Sequence, residues 1–249
     1  MRRSMPTLLL AAAALTLGCD GQPTQPSQAS LTPAETPAAD VRYAPRFDPD
    51  NFVGRVDNRF FPLVPGTRYI FVGEEDGERE TNVVLVTGDR KNILGISATV
   101  VLDRVFVDGE LTEKTFDWFA QDRQGNVWYL GEDTRELEDG EVVSTEGSWE
   151  AGVDGAVAGI IMPADPTVGQ HYQQEFFRGE AEDEARVTGV GTDVTVPFGS
   201  FRGCLRTVEW TRLEPGIKEA KWYCPGVGFV QALGIEGGES RLVLKNVFE

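Results

Sequence analysis

The chain has 249 residues, 41% of them hydrophobic, and carries 40 acidic against 23 basic side chains, for a formal net charge of −17. A surface this acidic repels nucleic acid and anionic lipid head groups, and no basic run offsets it, so no nucleic-acid partner is expected. One histidine and three cysteines leave too few ligands for a tetrahedral zinc site.

Residues 2–18 read RRSMPTLLLAAAALTLG and are followed by Cys19. Arg2 and Arg3 form a basic start, an apolar run follows, and small Gly18 precedes the cysteine, which is the layout of a cleaved secretory segment. The apolar run covers about ten residues, where a spanning helix needs about 20. The tail Leu15-Thr16-Leu17-Gly18-Cys19 resembles a bacterial lipobox, with Thr16 standing where Leu is usual. That resemblance implies a signal peptide over 1–18, cleavage before Cys19 and diacylation of its thiol. An ordinary signal peptide cut nearby is the alternative. Residues 19–46 then form the lipidated cysteine and a disordered tether, because Pro23, Pro26, Pro33, Pro37 and Pro45 sit among Gln, Ser, Thr and Ala with little to bury. Residues 47–249 are expected to fold as one domain.

From Asn58 onward the chain alternates short runs rich in Val, Ile, Phe, Tyr, Trp and Thr with Gly, Asp and Pro punctuation. Strands are predicted at 68–74, 81–87, 93–106, 111–120, 127–130 and 141–145. Further strands are predicted at 171–177, 185–190, 193–196, 201–211, 218–223, 228–233 and 241–247. The pairs Asp76-Gly77, Asp108-Gly109 and Asp139-Gly140 supply hairpin turns. No long stretch repeats the apolar spacing of a helix, and only 151–161 leaves room for a short one. The fold class is therefore all-β, an antiparallel meander forming a barrel or half-barrel.

With Cys19 taken by lipid, Cys204 and Cys224 remain as a pair in an oxidising compartment. Folding two strands about Glu214-Pro215-Gly216 places position 204 opposite 224, at a separation suited to a disulfide. Two buried free thiols are the alternative.

Alternation also sorts the aromatics. Phe116 and Trp118 share one face of their strand, Tyr172 and Phe176 another, and Trp210 a third. Packed together they make a core; in a widened barrel Phe116, Trp118, Trp128, Tyr172, Phe176 and Trp210 would line a cavity for an apolar ligand. His171 lacks a nucleophile motif, and no catalytic residue is assigned. Glu150, Asp154, Glu175, Glu180 and Asp183 fall in the least generic stretch of the chain. If they met in space they would suit Ca²⁺, or less readily an acid–base pair acting on a glycoside. No other cofactor is expected.

Three stretches are Asn58-Arg59-Phe60-Phe61-Pro62-Leu63-Val64-Pro65-Gly66-Thr67, residues 149–183, and Tyr223-Cys224-Pro225-Gly226-Val227-Gly228-Phe229-Val230. Together they resemble a group of uncharacterised bacterial secreted proteins and lipoproteins. The first and third also look, more loosely, like the opening and closing strands of half-barrel envelope proteins of the LolA/LolB type. That second likeness implies a curved antiparallel sheet that cradles lipid or another apolar ligand, and it brings no catalytic residues. The resulting expectation is a non-catalytic, lipid-anchored protein of the cell envelope, facing the periplasm or exterior, that binds or carries an apolar or amphipathic ligand. A structural or protein-interaction lipoprotein, partnered by another envelope protein, is the first alternative. A carboxylate-based enzyme is the second.

Overall fold

Runs of β-branched and aromatic residues, each closed by a Gly or Asp-Gly turn, become strands almost without interruption. The computed structural model describes residues 43–75 and 77–249. The segment predicted as a signal peptide at 1–18, Cys19, residues 20–42 of the predicted tether, and Asp76 of the predicted Asp76-Gly77 turn lie outside the described residues. In chain order the strands are β1 (Phe52–Val53), β2 (Val56–Asn58), β3 (Phe61–Leu63), β4 (Arg68–Glu75), β5 (Glu78–Ile93) and β6 (Ile96–Val107). Next come β7 (Glu110–Asp122), β8 (Val127–Glu138), β9 (Glu141–Ser144), β10 (Trp149–Glu150), β11 (Val157–Met162) and β12 (His171–Gln173). The last are β13 (Glu175–Phe176), β14 (Asp183–Val196), β15 (Gly199–Thr211), β16 (Lys218–Cys224), β17 (Gly228–Glu236) and β18 (Ser240–Phe248). A 3-10 turn at Pro49–Asn51 is the only helical element among the described residues. The short helix expected within 151–161 is not formed. Gly152, Asp154 and Gly155 all take positive φ there, which breaks a helix, and β11 follows.

Neighbouring strands pair antiparallel in the order β12-β14-β15-β16-β17-β18-β4-β5-β6-β7-β8-β11-β13. The two ends of this path are consecutive pieces of one segment. Residues 171–173 pair with β14, and residues 175–176 pair with β11. Gln174 between them donates its backbone N–H to the Asp183 carbonyl. The sheet thus curls into a nearly closed barrel rather than an open half-barrel, which leaves few unpaired edges.

One end of the barrel is filled by its own chain. The β2–β3 hairpin inserts Phe60, 2% exposed, and places Phe61 edge-on against Phe119 with centroids 5.2 Å apart. Phe71 and Phe229 meet beside them at 5.0 Å, and Val86, Val127, Met162, Leu205 and Val230 complete the apolar layer.

Outside the barrel, residues 43–53 run as a strap across β11, β8 and β7. Tyr43 packs on Phe176 and donates to the Ala158 carbonyl, Phe47 stands edge-on to Trp128, and β1 pairs with the end of β7. Packed chain therefore begins at Tyr43 at the latest. Cys204 and Cys224 are disulfide-bonded across β15 and β16, in the register that pairs Leu205 with Tyr223.

Candidate functional site

In an antiparallel pair, directly opposed residues share a face and successive residues alternate. That rule sorts the wall of the barrel. Asn82 on β5 is opposed by Val105 on β6, Val105 by Glu113 on β7, and Asp103 by Thr115. Thr115 is opposed in turn by Thr134 on β8, and Asp117 by Glu132. Across the barrel Thr207 on β15 faces Lys221 on β16, Glu209 faces Glu219, and Ala185 on β14 connects Glu209 to Tyr172 on β12. These residues form one interior face, beyond the aromatic layer and toward the turns at 75–78 and 107–110. It is a wall of carboxyl groups.

Most of these carboxyls receive a hydrogen bond from a neutral donor. The Tyr129 hydroxyl donates to Asp117 at 2.8 Å, Thr134 to Glu132 at 2.6 Å, Thr115 to Glu113 at 3.0 Å and the Trp149 indole to Glu175 at 2.9 Å. Glu209 is served best: Thr207 donates at 2.7 Å, Tyr223 at 2.9 Å, and the Lys221 ammonium lies 3.1 Å away. The same ammonium stands 3.8 Å from Glu219, which also accepts from Ser240. Lys221 is the one basic side chain among the buried described residues.

The charge balance decides the electrostatics. Burial, then the charges of Glu219 and Glu113, pushes the Glu80 carboxyl up to about 7. Burial, followed by neighbouring acids, also raises Asp103, Glu132 and Glu175. Asp117 is raised by burial against the opposing pull of the Tyr129 hydrogen bond. Burial raises Asp183 and Glu219, with Lys221 opposing. Burial pushes Glu209 up too, but Lys221 and the Thr207 and Tyr223 bonds outweigh it and hold this carboxyl below its ordinary value. The reciprocal attraction raises Lys221 despite its burial.

Several interior oxygens have no donor. They are Glu80 Oε1, Asn82 Oδ1, Asp103 Oδ1, Glu175 Oε1 and Asp183 Oδ1, and the buried Tyr172 hydroxyl and Gln174 amide nitrogen likewise lack a partner. The first three lie on the inner face of β5 and β6, where the Asn82 amide nitrogen donates to the other Asp103 oxygen at 3.3 Å and Glu80 stands two residues before Asn82. Buried acceptors without partners are uncommon in folded proteins and call for a cause. Among the described residues, no three Asp, Glu, His or Cys side chains converge closely enough to hold a metal ion.

The aromatic residues proposed to line a cavity mostly do not face this interior. Phe116 opposes Asp133, Trp118 opposes Val100, Trp128 opposes Ala120 and Trp210 opposes Glu184, all on the outer face. Trp118 is buried nonetheless, with the Lys91 ammonium 3.3 Å from its ring centre. Trp128 lies under Phe47 and donates to Asp122, and Phe176 lies against Tyr43. Of the six, Tyr172 alone points inward. A 270 Å³ cleft near the plugged end is lined by Arg59, Phe60 and residues 164–167, and by none of the six.

The acidic candidates also separate. Glu150 pairs with Lys91 at 2.7 Å, while Asp154 and Glu180 are exposed in turns. Glu175 and Asp183 alone join the interior wall, close enough for each Asp183 charge to raise Glu175. His171 stacks on Trp210 at 5.5 Å and pairs with Glu184, which also holds Arg212. This cluster lies on the outer face. The residues that sequence reasoning missed are Glu80, Asn82, Asp103, Asp117, Glu132, Glu209 and Lys221. Their only signal was polar residues at every second strand position, a pattern that ordinarily marks the solvent side.

A scan against protein-family models finds no match, and no curated protein matches the chain. A search of solved structures finds likeness to a Parabacteroides distasonis protein provisionally designated a lipoprotein. It is 12% identical, covers 77% of this chain and 99% of that one, and superposes with a TM-score of 0.38.

Proposed function

We propose that this is an exported, lipid-anchored, non-catalytic protein of the cell envelope whose barrel binds a cationic ligand at its acid-lined end. The observation that carries the binding reading is the inner wall itself. It gathers buried carboxyls against a single lysine and leaves acceptor oxygens on β5 and β6 without donors. An unpaired buried charge is costly, and an added cation is the partner that removes the cost. The apolar half of the barrel is occupied by Phe60, Phe61, Phe71, Phe119 and Phe229, so the wall favours charge rather than an oily cargo as the recognised feature.

Anchoring rests on the sequence Leu15-Thr16-Leu17-Gly18-Cys19. No helix among the described residues is long and apolar enough to cross a membrane. Two or three acyl chains on Cys19 hold a protein at a membrane where one chain does not.

The test begins with intact protein purified from membranes under native conditions. Mass spectrometry of the released small molecules should find a cationic species, retained at pH 7.5 and lost after an acid wash. The Cys19→Ser protein should move to the soluble fraction. A protein that carries nothing cationic, binds no added organic cation and shows no acid-released species would leave the structural or protein-interaction role in its place.

A further inference from the structure

The interior wall shows how it accommodates one cation. The Lys221 ammonium sits among carboxylates, 3.1 Å from Glu209 and 3.8 Å from Glu219. Across the barrel, β5 and β6 present a comparable set of acceptors with no ammonium among them. Glu80 is 7% exposed, Asn82 0% and Asp103 3%, and each has one oxygen without a donor. All three lie on the inner face by register, and the charges of Glu113 and Asp117 act on Asp103 from β7. An ammonium group carries three N–H donors and no acceptor. Three acceptor oxygens that lack donors match it in number and in kind.

We propose that Glu80, Asn82 and Asp103 form the head-group site of the ligand, and that the group they bind is a primary ammonium. This rests on the reading of the barrel as a cation-binding protein and narrows it. A metal ion is a poorer match, because a hard cation such as Ca²⁺ requires six to eight oxygens drawn close around it. The wall offers no such convergence of three carboxylates among the described residues. A quaternary ammonium is a poorer match as well. It has no N–H to donate, and it is recognised by aromatic faces, whereas the set on β5 and β6 consists of oxygens. Glu80 is the most exposed of the three and feels the Glu219 and Glu113 charges as well.

The experiment uses the intact detergent-purified protein at pH 7.5 and titrates it calorimetrically with hexylamine, hexyltrimethylammonium and CaCl₂. Hexylamine should bind saturably, and the quaternary analogue about tenfold or more weakly, because charge-assisted hydrogen bonds are lost. Asp103→Asn with Glu80→Gln should reduce hexylamine affinity by about tenfold or more. The same pair should leave the melting temperature of the unliganded protein unchanged or raised, since it removes uncompensated buried charge. A merely structural acid pair predicts a lowered melting temperature and unchanged affinity, and so overturns the site. Vesicles containing phosphatidylethanolamine, with phosphatidylcholine vesicles as control, distinguish the source of the amine. Competition by the former alone assigns it to a lipid head group, and no competition by either assigns it to a soluble amine. Equal binding of the two hexyl cations, or tighter binding of Ca²⁺ at the same residues, overturns the primary-ammonium assignment while the cation-binding reading stands. No binding of any of the three cations ends both.

Discussion

Lys221 is the residue on which the interior depends most. Its ammonium is the counter-charge for Glu209 and Glu219, and it opposes the burial that raises Asp183. Lys221→Met keeps a long unbranched side chain in place and removes only the charge. The loss leaves Glu209 buried and unpaired, for which about 3–5 kcal/mol is the usual cost. Chemical unfolding at pH 7.5 should register that loss. Adding Glu209→Gln should recover part of it, because the second change removes the charge that the first left alone. A Lys221→Met protein within about 1 kcal/mol of the parent would show that the interior acids are already neutralised without it. None of this was visible at residue level in the sequence. Lys221 lies in Lys218-Glu219-Ala220-Lys221-Trp222-Tyr223, where alternation marks a strand but gives charged and aromatic positions no direction.

At the scale of elements, the sequence was far more legible. Turn pairs and β-branched runs located most of the long strands. The register that places Cys204 opposite Cys224 follows from one turn at residues 214–216, and the disulfide is formed. The pieces that were missed are short or glycine-rich: β1, β2, β3, β10, β11 and the split of 171–176 into β12 and β13, and the strand predicted at 93–106 begins only at Ile96, because Leu94 and Gly95 turn between β5 and β6 with positive φ. Their pairing is decided by distant partners, which local pattern does not report. Gly159 shows why that seam needs its particular residue. It lies on β11 where the chain segment 173–174 passes directly over it, and a Cβ there would fall on the Gln174 carbonyl group and 2.6 Å from the Gln173 oxygen. Both obstacles are backbone, so the strand pairing itself must move. Gly159→Ala should therefore lower stability, by roughly 2 kcal/mol or more, where the same exchange at an unobstructed position ordinarily raises it. Amide exchange should accelerate at residues 171–176 before it does at β5 or β6. Uniform acceleration across the barrel, or none, would mean that the seam is not where the closure is held.

At the scale of the whole molecule, the inward face of the barrel was read with the wrong polarity, and the reason is physical. Phe116 and Trp118 alternate with Asp117 and Phe119, and hydrophobic residues are expected inside. Here the strap at 43–53 and the Lys91 side chain help to cover the outer face, so an aromatic can be buried on that side, while the interior collects acids. A charge-rich interior gives the fold a pH dependence whose sign can be worked out. Glu80, Asp103, Asp117, Glu132, Glu175, Asp183 and Glu219 all hold their protons more tightly folded than unfolded, chiefly through burial. Between the unfolded carboxyl range and the raised folded values, the native state binds more protons than the unfolded chain, so stability falls as pH rises. Glu209 opposes this trend. Its folded value is lowered, so its contribution is present above the unfolded carboxyl range and lost as pH falls through the folded value. The raised groups outnumber it, and they set the direction. A carboxyl that titrates near 7 instead of 4.5 costs the folded state about 3 kcal/mol once both forms are ionised. The urea midpoint of the unliganded protein should therefore be higher at pH 5 than at pH 8, with the fall continuing through pH 7, where Glu80 titrates. An added cation that binds the wall replaces the lost protons and should restore the midpoint at pH 8 while changing little at pH 5. A midpoint that rises steadily from pH 5 to pH 8 without added cation would mean that the interior acids are ionised and already compensated in the folded chain.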